Sequence, residues 1–148
     1  MDIKTLCRKY NLIAPREFWS TPEDKLQDIY NGAGPDNFNG AIRFMLRYAY
    51  PKLTIEESEE KLRVYITEFI SLFKGPVAIH DFDFTFSDKK KETFDEVNKR
   101  LLSNCMKIVD KEFPFSSIFK WHKRIYWRGK AKLTYYACQK YGWEAWND

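Results

Sequence analysis

No stretch of the sequence approaches the roughly 20 apolar residues that a membrane-spanning helix needs. The N-terminal run MDIKTLCRKYNLIAPREF lacks the apolar block of a secretory signal. Cysteine is scarce: Cys7, Cys105 and Cys138 form no CxxC pattern and, being three, cannot all pair. That argues against a disulfide framework and reads as buried free thiols in a reducing compartment. Histidine is scarcer still, present only as His80 and His122. No internal repeat, low-complexity tract or linker interrupts the chain, so a soluble protein is expected.

What is present favours one folded domain over residues 1–148, since domains commonly run about 100–150 residues. A hydrophobic content of 44%, with 18% aromatic, suffices for a packed core and argues against disorder. The net charge of +4 is compatible with an anionic partner without requiring one.

The strong local signals are helical. Residues 1–20 contain Pro15 and predict at most a short helix. Thr21 is placed to cap a helix opening with Pro22, Glu23 and Asp24, which the loop Asn31-Gly32-Ala33-Gly34-Pro35 ends. Residues 39–50 carry Ile42, Met45, Leu46 and Ala49 at helical spacing and stop before Pro51. Thr54 and Glu57 form a potential capping box for a helix with Ile55, Leu62, Ile66, Phe69, Ile70 and Phe73 on one face, which Gly75-Pro76 should stop. The acids Glu56, Glu57, Glu59 and Glu60 read as a solvated, dipole-favourable face rather than a metal site. Residues 77–86 fit helix or strand by periodicity alone. A helix follows from Ser87 or Asp88 to about Glu112, carrying Phe94, Val97, Leu101, Cys105 and Ile108 inward. Residues 121–141 predict a last helix, with Gly142 in left-handed conformation behind it.

Two stretches carry candidate chemistry. Gly32 and Gly34, two apart, permit a sharp turn that could point amides at phosphate or carbonyls at a hard cation, although a plain turn explains them as well. His80 and Asp81 are adjacent, so on a helix they point about 100° apart and can serve adjoining roles. A neutral histidine can act as general base once a partner fixes its tautomer, and Asp81 is a hard oxygen donor suited to calcium. Asp95 opens the next amphipathic run, where antiparallel pairing could bring it to His80.

Taken in order, Tyr30-Asn31-Gly32-Ala33-Gly34-Pro35, Ala78-Ile79-His80-Asp81-Phe82-Asp83-Phe84 and Phe94-Asp95-Glu96-Val97-Asn98-Lys99-Arg100-Leu101 resemble the calcium loop, catalytic helix and second helix of the phospholipase A2 superfamily. The likeness is to its disulfide-free phage, viral and bacterial branches. It implies a mostly α fold: two antiparallel helices with a calcium loop, an insertion over about 39–74 and a C-terminal helical extension over about 114–148. It further implies a helix over residues 77–86. Calcium would be bound by the carbonyls of Tyr30, Gly32 and Gly34 and the carboxylate of Asp81. His80 would deprotonate a water that attacks the sn-2 ester of a phospholipid, Asp95 would orient His80, and the Gly32 amide would assist the oxyanion. Phe84 departs from the family's usual tyrosine, Pro35 from a further glycine, and Asp83 from a disulfide cysteine. The long separation between Gly34 and His80 departs from the compact secreted enzymes. The setting implied is host cytoplasm or virion.

Two other classes remain open. One is a virion structural or interaction protein on the same scaffold with weak or no catalysis. The other is a nucleic-acid-binding module using the C-terminal region, where Lys120, Lys123, Arg124, Arg128, Lys130, Lys132 and Lys140 interleave with Tyr126, Trp127, Tyr135, Tyr136, Trp143 and Trp146. The same mixture could seat on an anionic membrane. A core helix with buried aromatics and solvated lysines is the plainer expectation, with His122 an ordinary surface residue.

Overall fold

A computed structural model describes residues 1–30, 37–143 and 146, with the side chain of Asn37 not described. Among these residues there is helix and no strand. The elements are α1 (Ile3–Lys9), α2 (Arg16–Ser20), α3 (Glu23–Asp28), α4 (Asn37–Ala49), α5 (Ile55–Phe86), α6 (Lys91–Glu112) and α7 (Trp121–Tyr141). The last four pack in a ring, α4 on α5, α5 on α6, α6 on α7 and α7 back on α4. Helix α1 lies against α5 and α3. No described helix is long and apolar enough to cross a membrane.

Helix α5 begins as its sequence dictates. The Thr54 side chain accepts from the Glu57 amide and the Glu57 side chain accepts from the Thr54 amide, which satisfies two end donors at once. The expected stop at Gly75-Pro76 does not occur. Pro76 is inside the helix, and the chain bends at Phe73, whose φ of −107° and ψ of 27° leave the helical range. A proline removes one helical hydrogen bond and crowds the carbonyl four residues earlier, here Leu72, at a cost of roughly 3 kcal/mol. Tertiary packing offsets that cost: a Cβ on Gly75 would stand 2.9 Å from Leu12 Cδ1 and 3.3 Å from Cys7 Sγ, so α1 and the residue Leu12 beyond it pack tightly just past the bend. The sequence pair that reads as a terminator is a packed kink.

Beyond the kink, every residue from Gly75 to Phe84 is buried. A helix enclosed on all sides has no polar stripe, which is why residues 77–86 were ambiguous by periodicity; they are helical. The pairs His80–Asn98 and Phe84–Phe94 show α5 and α6 running antiparallel.

Two predicted caps differ. Thr21 closes α2, its hydroxyl donating to the Glu17 carbonyl at 2.7 Å, while α3 starts at Pro22 with no side-chain cap. Gly142 follows α7 with φ −87°, right-handed; a Cβ there would meet the Cys138 carbonyl oxygen at 2.5 Å. All three cysteines are buried free thiols.

Candidate functional site

His80 is 1% exposed and faces α6. Its Nε2 lies 2.8 Å from Asn98 Oδ1, Asn98 Nδ2 donates to Gln139 Oε1 at 2.6 Å, and Gln139 Nε2 donates to Asp95 Oδ1 at 3.1 Å. Lys91 Nζ stands 3.3 Å from the same Asp95 oxygen. A hydrogen bond from Gln139, then Lys91, holds the Asp95 carboxyl below its ordinary range. Asp95 is therefore ionised near neutrality and can only accept. Its anionic end sets the polarity of the whole chain. Gln139 must turn its NH2 to Asp95 and its oxygen to Asn98; Asn98 must then turn its oxygen to His80. His80 donates from Nε2–H, which leaves Nδ1 as the bare lone pair. Nδ1 is buried and has no hydrogen-bond partner. Burial pushes the imidazole down to about 4, against a smaller upward pull from Asn98, so the ring is neutral at pH 7.

This corrects one expectation. Asp95 does not touch His80; Asn98 holds the position against the imidazole, and Asp95 acts two amides away. Asn98 is one helical turn beyond Asp95, on the inward stripe of Phe94, Val97 and Leu101. A polar residue in an apolar stripe was the available signal, but Asn104 gives the same signal and has a different job. It bonds both the amide and the carbonyl of Ile13. Gln139, on α7, gave no signal.

Asp81, the next residue along α5, points elsewhere. It lines a cavity of about 230 Å³ together with Tyr30, Phe38, Asn39, Ile66, Ile70 and Val77. With a water occupying about 30 Å³ of liquid, that space takes several waters or a small polar group, not a whole lipid. Among the described residues the Asp81 side chain has no hydrogen bond or ion pair, and burial pushes its carboxyl up to about 8. The Tyr30 phenol is raised by burial and, secondarily, by the Asp81 charge, which places both groups in one electrostatic neighbourhood. Gly32, Gly34 and Pro35 lie outside the described residues.

Phe38, at the start of α4, lines the cavity and also packs edge-on against His80 at 6.2 Å between ring centres. Phe84 lies 4.8 Å from the imidazole on another side and is itself enclosed by Phe94 and Trp146. The hydroxyl that a tyrosine would bring to residue 84 is replaced by an apolar cluster of Phe84, Phe94, Val97 and Trp146. Asp83 ties α5 to α6 through Arg100 Nη1 at 2.7 Å, and burial still lifts its carboxyl to about 6. That pair braces the helices without contributing to the cavity.

The C-terminal region fits the plainer expectation only in part. Trp146 is fully buried, whereas Tyr126 and Tyr136 are half exposed, and Lys130 is largely covered beside Glu68. His122 is exposed. Compared with protein-family models, with curated proteins and with solved structures, the chain matches none.

Proposed function

We propose that this chain is a calcium-dependent hydrolase of phospholipid or related esters, resembling the phospholipase A2 superfamily in the order of its candidate residues along the sequence. One observation carries the reading. A neutral histidine has its Nε2–H committed to a buried amide and its Nδ1 lone pair free. The neighbouring residue is a carboxyl that lines a cavity without a cationic partner. A buried carboxyl lacking compensation is what a divalent cation requires, and hard oxygen donors suit calcium. Asp81 suits such an ion as one donor; on the resemblance the carbonyls of Tyr30, Gly32 and Gly34 would supply others, Gly32 and Gly34 lying outside the described residues. Bound there, calcium would offer positive charge to an ester carbonyl oxygen as negative charge develops on it.

The chain's own residues supply proton transfer and orientation. His80 Nδ1 takes a proton from water, and the water oxygen attacks the ester carbonyl carbon. The imidazolium is stabilised by Asn98 Oδ1 and, through Gln139, by Asp95. It then returns the proton to the leaving alkoxide, so that a fatty acid and a lysophospholipid result. His80 is not among the residues lining the Asp81 cavity, so for substrate to approach Nδ1 the packing around the buried imidazole, Phe38 and Phe84 included, has to move.

That shielding favours a second reading, a structural or interaction protein of a virion on this scaffold with weak or no catalysis, because His80 is 1% exposed. Fatty-acid release from phosphatidylcholine and phosphatidylglycerol vesicles decides between them. Hydrolysis that needs calcium and falls at least a hundredfold in His80→Asn supports the enzyme. A folded protein with no calcium-dependent release, whose Phe38→Ala variant is equally inert, supports the second reading.

A further inference from the structure

The turn between α6 and α7 places large apolar side chains in water. Phe115 is 87% exposed, Phe119 84% and Ile118 73%, and Trp121 and Ile125 continue the surface along the first turns of α7. The turn beneath them is held in place. The Ser117 amide donates to the Pro114 carbonyl at 3.0 Å and the Lys120 amide to the Ser117 carbonyl at 3.2 Å. Arg124 bonds the Phe113 carbonyl at 3.2 Å and Asp110 at 2.8 Å, bracing the turn from behind. Desolvating these side chains is strongly favourable, and contiguous exposure of this kind marks an interaction surface.

The turn and α7 carry charge of one sign only, and the acids that face them from α6 and α5, Asp110 and Glu68, are paired with Arg124 and Lys130. From residue 113 to residue 143 the sequence contains no aspartate or glutamate. Lys123 and Arg128 have no ion-pair partner among the described residues, and Lys120 and Lys123 are both exposed. A rigid apolar tip flanked by unopposed cations and one tryptophan is complementary to an anionic lipid surface. The apolar groups enter the acyl boundary, the cations meet headgroup phosphates, and the indole suits the interface.

We infer that the α6–α7 tip docks the protein onto an anionic bilayer surface. Single-stranded nucleic acid fits less well. Ile118 and Ile125 cannot stack on bases, whereas single strands are held by aromatic platforms along a basic track. A second copy fits less well too, because a two-fold contact would set these cations against one another. The inference goes beyond ester hydrolysis and uses neither His80 nor Asp81. Its test therefore runs in chelator, where the two readings fail separately.

Flotation with vesicles of phosphatidylglycerol mixed with phosphatidylcholine, at low salt and without calcium, measures the partition. Binding is expected to the mixed vesicles, to weaken as salt rises, and to be slight on phosphatidylcholine alone. Phe115→Ser with Phe119→Ser should weaken it by about a hundredfold, roughly tenfold for each side chain kept from the acyl boundary. Lys120→Gln with Lys123→Gln should weaken it by roughly tenfold and flatten the salt dependence. All four positions are exposed, and circular dichroism verifies that both variants fold. Absence of binding at low salt overturns the inference, as does binding indifferent to the phenylalanine pair. A dimer without vesicle binding that the same pair dissolves would assign the tip to a second copy. Oligonucleotide binding lost in that pair, again without vesicle binding, would assign it to nucleic acid.

Discussion

The two halves of α5, joined by the kink at Phe73, lie in different surroundings. Before Phe73 the helix is amphipathic: Leu62 and Phe69 are buried, while Ile55 and Val64 share the water-facing side with Glu60 and Arg63. After the kink it is enclosed on every side from Gly75 to Phe84, and that enclosed half carries His80, Asp81 and Asp83. Burial converts ordinary side chains into unusual ones. The same carboxyl that would be an ionised surface group becomes, at residue 81, a candidate cation ligand. The comparison predicts that like substitutions have unlike consequences in the two halves.

The largest difference concerns cores and charges beyond the kink. Phe82→Ala should cost about 3–5 kcal/mol, because its ring is buried and packs edge-on against Phe18 at 5.6 Å between centres. Arg100→Ala should cost a similar amount, about 3–5 kcal/mol near neutral pH, by leaving Asp83 buried without its partner. Urea unfolding measures both. Ile55→Ala, at an exposed site before the kink, is expected to stay within about 0.5 kcal/mol.

Acidity should also act on the enclosed half. With the Asp81 carboxyl pushed up to about 8 from 3.8, the folded protein holds a proton that the unfolded chain releases. Stability therefore rises as pH falls through 8, by about 1.4 kcal/mol for each pH unit until other groups titrate. His80 acts oppositely. Its folded value of about 4 is depressed from 6.5, so the unfolded chain takes up the proton first, and stability present above 6.5 is lost as pH falls toward 4. On these two groups the melting temperature should climb as pH falls from 8 to about 6.5 and level off below that, where the two opposite slopes cancel. Asp81→Asn should remove the alkaline slope. Added calcium should raise the melting temperature more at pH 8 than at pH 6 in the parent chain, and not at all in Asp81→Asn.

A smaller effect is expected from the relay. Gln139→Ala severs Asp95 from Asn98 and should cost about 1–3 kcal/mol, since the buried Asn98 amide loses its acceptor. It also frees Asn98 to turn, so the nitrogen chemical shifts of His80 should report a mixture of tautomers. A ring still protonated at Nε2 alone would show that Asp95 does not set the polarity.

These regions differ as much in legibility. Thr54 and Glu57 announce a capping box, and the outward charges of Glu60 and Arg63 announce a helix, because water makes the sequence choose one residue type per face. Enclosure removes that choice. Val77, Ala78 and Ile79 satisfy strand and helix alike, and Gly75-Pro76 reads as a terminator until α1 is packed upon it. Within the candidate site, His80 and Asp81 stood out by residue type. Asn98 and Gln139 did not, since an amide earns its role from what it touches across helices. Asp95 was visible but at the wrong distance: a carboxylate attracts attention as a partner, whereas here it acts through two amides.

The smallest prediction isolates burial from geometry. Arg63 approaches Glu60 at 2.6 and 3.0 Å, as close as Arg100 approaches Asp83 at 2.7 Å. By contact alone the first pair would be worth at least as much. Its side chains, however, are 65% and 60% exposed, against 6% for the Asp83 carboxylate. Water and salt screen the exposed pair, and ordering two long side chains opposes it, so Arg63→Ala should leave the urea midpoint almost unmoved, and not at all moved at high salt. Removal of Arg100 strands a buried charge that no salt reaches. Equal costs for Arg63→Ala and Arg100→Ala in urea unfolding would mean that the enclosed half of α5 admits water, and the buried chemistry assigned to His80 and Asp81 would lose its physical basis.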